Sequence, residues 1–160
     1  MSRRDQIKLS PAEQRELIEA ERVVHVATFG PRGWPHLMPL WYVPRVSDEG
    51  EPEIWVWTYA KSQKARNLER DPRATLMIEA GTEYAELRGV QIEAEAELVR
   101  DPDRVLEFGK ELTLRYTEGI DSIEGDAAAG LEAQAPKRVA IRFEAIRTAT
   151  WDHRKLGGTY

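Results

Sequence analysis

From Val90 to Leu98 the chain alternates strictly. Val90, Ile92, Ala94, Ala96 and Leu98 are apolar, and Gln91, Glu93, Glu95 and Glu97 between them are polar. Successive side chains of a strand point to opposite faces, so a period of two specifies a strand with one buried face and one solvated, acidic face. The extended segment around it runs from Glu83 to Arg100. Other strand-like runs are Val23–Phe29, Trp34–Val46, Glu53–Tyr59, Arg73–Ala80 and Lys137–Trp151, with turns at Gly30–Gly33, Ser47–Glu51 and Gly81. These strands are not regularly interleaved with helices, which counts against a parallel sheet of βαβ units. Six or so hairpin-connected strands, with helices at the ends and crossovers, make this a mainly β chain with peripheral helices, an antiparallel barrel.

The run Trp34–Val46 carries Pro35, Pro39 and Pro44. Proline has no ladder donor, so this strand is bulged or lies at an edge for part of its length. Ser10-Pro11-Ala12-Glu13 is a capping box with proline at the first helical position, opening a helix to about Glu21. A second helix spans about Ser62–Arg70. A third starts at Asp101-Pro102-Asp103, with Val105, Phe108 and Leu112 on its inner face. Residues Glu118–Gln134 are small and polar and read as a loop or a short helix, and Asp152–Tyr160 as a polar tail.

At 160 residues with 41% hydrophobic and 32% charged side chains, the chain is expected to form one globular domain. A formal charge of -5 argues against general nucleic-acid or anionic-membrane binding, and no apolar run approaches a membrane span. There is no cysteine, hence no disulfide or thiolate chemistry, which suits the cytoplasm. His25, His36 and His153 lie far apart without metal-ligand spacing, so no metal centre is expected. His25, mid-strand, reads as a satisfied barrel histidine. The glycine fingerprints of dinucleotide and P-loop sites and the Gly-x-Ser-x-Gly elbow are all missing.

The chemistry concentrates in Trp57–Pro72. An apolar strand ends in Thr58, then Lys61, Ser62 and Lys64 precede or open a short helix closed by Asp71-Pro72. A helix start offers unpaired N–H groups and partial positive charge, so cationic and hydroxyl donors placed there suit a phosphate. A solvated helix start with surface lysines would carry the same residues. Asn67 reads equally as a backbone tie at the helix end. Trp41, Trp55 and Trp57 could wall a flat ligand or fill a core or interface, and Trp151 with His153 could reach a neighbouring site or pin the tail.

Taken in order, Ala27-Thr28, Gly33-x-Pro35, Leu37–Trp41, then Thr58 with Lys61-Ser62-x-Lys64-x-x-Asn67-Leu68-x-x-Asp71-Pro72-Arg73-Ala74, then Arg88-Gly89-Val90-x-Ile92-x-Ala94-x-Ala96-Glu97-Leu98 and Trp151–Lys155 resemble one family. It is the flavin/deazaflavin oxidoreductase group of the pyridoxamine 5'-phosphate oxidase-like split β-barrels, in its branch using the deazaflavin F420. The resemblance covers about Val23 to Lys155. It implies a homodimer of split barrels with cofactor sites at the subunit interface, and F420, with FMN as the alternative. The implied function is hydride transfer between that cofactor and a small organic acceptor; a non-catalytic flavin- or tetrapyrrole-binding protein is the rival. The phosphate would lie on Ser62 and Lys64, beside Lys61, Thr58 and Asn67. The ring would lie along Met38, Pro39, Leu40 and Trp41, with Trp151 near the partner's site. Gln63 stands where pyridoxamine phosphate oxidases proper carry an arginine, and the C-terminal arginine-histidine motif is missing, which argues against vitamin B6 as substrate.

Overall fold

The two edge strands of the sheet are neighbours in sequence, and that closes the fold. The computed structural model describes residues 2–157. Its strands are β1 (Val24–Phe29), β2 (Pro35–Leu40), β3 (Tyr42–Val46), β4 (Pro52–Tyr59), β5 (Arg73–Ala80), β6 (Arg88–Val99) and β7 (Arg138–Asp152). They form one antiparallel sheet in the order β2-β1-β5-β6-β7-β4-β3. Only Trp41 separates β2 from β3, although they flank opposite ends of that order. One residue bridges a few ångströms, so the sheet curls until its edges meet. The product is a split antiparallel barrel.

The prolines sit where this topology tolerates them. Pro35 and Pro39 lie on one edge strand, Pro44 on the other. Pro35 and Pro39 share one alternation phase, opposite Phe29 and His25. In that phase the N–H of an edge residue points away from its neighbour, so no ladder bond is lost and the free edge loses two donors. The expected single run Trp34–Val46 is therefore two edge strands.

Strand β6 carries the alternation into three dimensions. Val90, Ile92 and Ala94 are buried, while Gln91, Glu93 and Glu95 are exposed. The extension stops short of Glu83, because Tyr84–Glu86 forms a 3₁₀ turn ahead of Arg88. Inside the barrel, Val24, Val26, Ile54, Val56, Leu76, Ile78, Ile141 and Phe143 complete the core with β6. Helix α1 (Arg3–Gln6) leads into α2 (Pro11–Ala20), which opens on the expected Ser10–Glu13 capping box and adds Leu17 and Ile18 to that core. Each such side chain contributes roughly 1.5–3 kcal/mol on burial.

Three further helices complete the fold: α3 (Gln63–Arg70), α4 (Pro102–Tyr116) and α5 (Gly125–Gln134). The outer face of β3, β4 and β7 is covered by α4, whose Val105, Phe108 and Leu112 pack on Val43, Trp55 and Ala140. The Trp57 indole lies over Gly109, where an added Cβ would stand 2.8 Å from the ring. Trp55 and Trp57 are thus packing residues of the barrel wall. Both readings of 118–134 hold in part: the chain is a loop to Glu124 and a helix from Gly125 to Gln134. Of the expected tail, 158–160 lie outside the described residues, and the part before them is anchored: Asp152 N–H donates to the Ile7 carbonyl at 2.7 Å, and Lys155 Nζ reaches the Lys8 carbonyl and Glu13 Oε2, each at 2.7 Å.

The junction at Trp41 is held from outside by α4. The Tyr116 ring stacks on Trp41 with centroids 4.4 Å apart. Its hydroxyl accepts from Tyr42 N–H at 2.9 Å and lies within donating distance of the Arg22 and Tyr42 carbonyls, at 2.8 and 2.9 Å. Among the described residues no helix is long and apolar enough to cross a membrane.

Candidate functional site

Helix α3 begins where β4 ends and lies across one end of the barrel. Ser62 is its N-cap, with Oγ accepting from Ala65 N–H at 3.3 Å. The buried face is Lys64, Ala65, Asn67 and Leu68, a spacing that puts all four on one side of a helix. Ala65 and Leu68 seal the core. Lys64 and Asn67, three apart, reach two threonines on separate strands. Lys64 Nζ donates to Thr58 Oγ1 of β4 at 3.0 Å, and Asn67 Nδ2 donates to Thr28 Oγ1 of β1 at 3.0 Å.

The surroundings of Lys64 differ from those of every other buried charge. Glu53 has Arg142, at 2.8 Å to Nε, and Asp152 has Arg154, at 2.7 Å. Lys64, only 8% exposed, faces no carboxylate among the described residues. Burial lowers its pKa, and the positive charge of Arg138 lowers it further. An ammonium has three protons, and Thr58 takes one. Thr58 Oγ1 passes its own proton to Ser62 Oγ at 3.4 Å, and Ser62 Oγ already accepts from Ala65. Among the described residues the Ser62 hydroxyl proton and two ammonium protons are therefore unspent, at a helix start, with no anion beside them. Desolvated cations are costly unless paired, so this donor set suits an anion.

Asn67 is brought to the same helix face but is directed elsewhere. It is fully buried, and its Oδ1 accepts from Gln63 Nε2 at 2.8 Å and Arg70 Nη2 at 3.2 Å, while its amide holds Thr28. It ties α3 to β1. Asn67→Ala is expected to lower stability by about 1–3 kcal/mol, from the donors and acceptors left buried without partners. Urea denaturation measures this. Anion affinity of the folded variant should stay close to wild type, and a loss as large as that of a Lys64 variant would put Asn67 in contact with the ligand.

The register explains what lies opposite. Tyr42 pairs with Val56, so two more residues of continued pairing would set Leu40 against Thr58. Instead Leu40 pairs with Val24 of β1. The strands part at Trp41, and the split opens between Met38–Leu40 on one side and Thr58–Tyr59 on the other. Met38, Pro39 and Trp41 are exposed there, Trp41 at 57% with one ring face on Tyr116. Lys61 is exposed at the mouth and unpaired among the described residues. Trp151 is not at this end. It pairs with Gly89 across β6–β7, its ring over the glycine backbone where an added Cβ would come within 2.3 Å. His25 faces outward opposite Pro39, and its buried Nδ1 has no hydrogen-bond partner among the described residues, where the sequence predicts a satisfied histidine.

Two cations near the mouth escaped the sequence reading. The Lys137 carbonyl accepts from Ala60 N–H at 3.0 Å, which sets Lys137 beside Lys61. Arg138 pairs with Tyr59, its guanidinium 3.8 Å from the Tyr59 ring centroid and 5.0 Å from that of Trp57. Both belong to the start of β7, distant in sequence, and only the β4–β7 pairing brings them here.

A split antiparallel barrel with the unspent donors of Ser62 and Lys64 at one end fits the class of the flavin-binding split barrels. The chain belongs to the pyridoxamine 5'-phosphate oxidase family, whose model matches residues 10–152. No curated protein matches it. A conserved hypothetical protein from Mycobacterium tuberculosis is 40% identical, covering 100% of this chain and 95% of its own, with a TM-score of 0.83. An F420 reductase shares the fold at 23% identity, 84% and 94% coverage and a TM-score of 0.61. The haem storage protein HutZ from Vibrio cholerae does so at 19% identity, 91% and 95% coverage and a TM-score of 0.61.

Proposed function

We propose that the protein is an F420-dependent oxidoreductase acting in the cytoplasm on a small organic acceptor. The observation that carries this reading is the unspent donor set of Lys64 and Ser62 beside Thr58, which suits the phosphate of a flavin-like cofactor. Lys61, Lys137 and Arg138 extend the positive field over the mouth. The ring would lie in the split along Met38, Pro39, Leu40 and Trp41. When bound, such a cofactor supplies the hydride chemistry, and the protein binds, orients and shields it.

A homodimer fits the outer face of β1, β2 and β5. Phe29 and Leu37 are 52% and 60% exposed there, with Trp34 of the preceding turn 77% exposed, and large apolar side chains grouped on one face suit a partner. The partner would close the pocket, with Trp151 near its site. FMN is the second candidate, favoured by the flavin-binding character of the family.

The test is titration of the purified protein with F420 and with FMN, followed by fluorescence. Saturable F420 binding at micromolar concentration or tighter, with FMN weaker, is the expected result. Tighter FMN binding would move the assignment to the flavin, and binding of neither would overturn it.

A further inference from the structure

A second hollow lies at the other end of β4. Pro52 opens that strand and Tyr59 closes it, so the hollow is about 23 Å from the phosphate end at 3.3 Å per residue. Its volume is about 530 Å³, within the range of small-molecule sites. Helix α2 supplies Pro11 and Ile18, and the β3–β4 hairpin supplies Pro44, Val46 and Pro52. Val46 is 58% exposed, although it is apolar and within a strand. Arg15, Glu16, Glu19, Arg45 and Glu51 also line it; Arg45 is held by Glu111 and stacks 4.4 Å over Trp55, and Glu19 is held by Arg115 at 2.8 Å.

Gln14 and Thr148 line this chamber and also a second groove of about 460 Å³, so the two spaces adjoin at these side chains. The groove has the opposite character. Arg4, Lys8 and Arg147 line it beside Thr148 and Thr150, and among the described residues no carboxylate lines it. Lys8 pairs with Asp5 at 2.9 Å and Arg147 with Glu93 at 3.5 Å, both solvent-exposed contacts that an incoming anion can displace at little cost. Arg4 has no ion pair among the described residues.

We propose that chamber and groove together bind an amphipathic organic anion, an apolar body with a carboxylate or phosphate head. The body lies against Ile18, Pro44 and Val46, and the head against Arg4, Lys8 and Arg147. Charge sets the orientation, since of the two adjoining spaces only the groove has cations as its sole charged lining among the described residues. The site is separate from the cofactor pocket and does not rest on the function proposed for it.

Decanoate is a suitable probe, titrated calorimetrically into the full-length protein beside decanol and decyltrimethylammonium. Decanoate should bind with a dissociation constant on the order of 100 µM or tighter, and the cation markedly more weakly. Lys8→Gln with Arg147→Gln should weaken decanoate about tenfold and leave decanol unchanged. Val46→Asp, at an exposed position, should weaken both. The proposal is overturned if decanoate shows no saturable binding by about 1 mM, or if the variants leave its affinity unchanged. Competition between decanoate and F420 would place it in the cofactor pocket. Dissociation of a dimer by decanoate would assign the chamber to a contact between copies. Either result overturns the proposal.

Discussion

Lys64→Ala should weaken cofactor binding by about 10- to 100-fold, the effect of removing charge-assisted hydrogen bonds worth roughly 1.5–3 kcal/mol. Fluorescence titration with F420 measures the change. Lys64→Arg should not restore full affinity, because the longer planar fork does not fit the space that ends on Thr58 Oγ1. Unchanged affinity in Lys64→Ala would make the residue only the tie that joins α3 to β4. The pH dependence separates these roles. Burial first, and Arg138 second, hold the Lys64 pKa below its ordinary 10.5. Between the lowered folded value and the unfolded one, the unfolded chain binds more protons, so the stability of the ligand-free protein gains from Lys64 as pH rises through that window. The penalty for the buried charge is present in full below the folded pKa and is relieved above it. A bound phosphate favours the protonated form, so ligand affinity should move the opposite way and fall as pH rises. Lys64→Met should remove both dependences.

Tyr116→Ala should cost about 3–5 kcal/mol, the range for deleting a packed aromatic, with the unsatisfied Tyr42 N–H adding to it. Tyr116→Phe keeps the stack on Trp41 and loses only the hydroxyl, for about 1–2 kcal/mol. Denaturant melts of both variants give the values. The functional consequence is sharper than the stability one. Trp41 and Tyr42 stand where the strands part, so loosening them changes the slot in which Met38–Leu40 face Thr58. Cofactor affinity should therefore fall in Tyr116→Ala even well below its melting temperature, and hold in Tyr116→Phe. Equal affinity in both would show that the junction does not set the slot.

Much of this was legible in local chemistry. The alternation of β6, the Ser10 and Asp101 caps and the proline-limited strands depend on neighbours a few residues apart, and they formed as the pattern requires. The cluster of Thr58, Ser62 and Lys64 was legible for the same reason, since a strand end and a helix start are contiguous there. Closure was not. Nothing around Trp41 states that β2 will pair with β1 and β3 with β4, because that choice is settled by the long-range β1–β5 and β4–β7 ladders. Arg138 and Lys137 were missed because their proximity to Lys64 exists only through the β4–β7 register. The placement of Trp151 over Gly89 likewise needs the β6–β7 pairing, and the anchored tail needs Ile7, Lys8 and Glu13 beside it.

One covalent link, Leu40–Trp41–Tyr42, spans the two margins of the sheet. A circular permutant opened at Trp41, with its original termini joined, would retain every internal ladder and expose two unpaired margins. Opened in this way, the barrel becomes an ordinary curved sheet, prone to recruiting strands from other molecules. Lengthening the link by a residue or two acts more gently. It would let the margins drift apart while leaving each wall of the slot chemically intact, so slot width could be varied separately from slot composition. Ligand selectivity would then be adjustable by link length alone, with the Lys64–Ser62 cluster left unchanged.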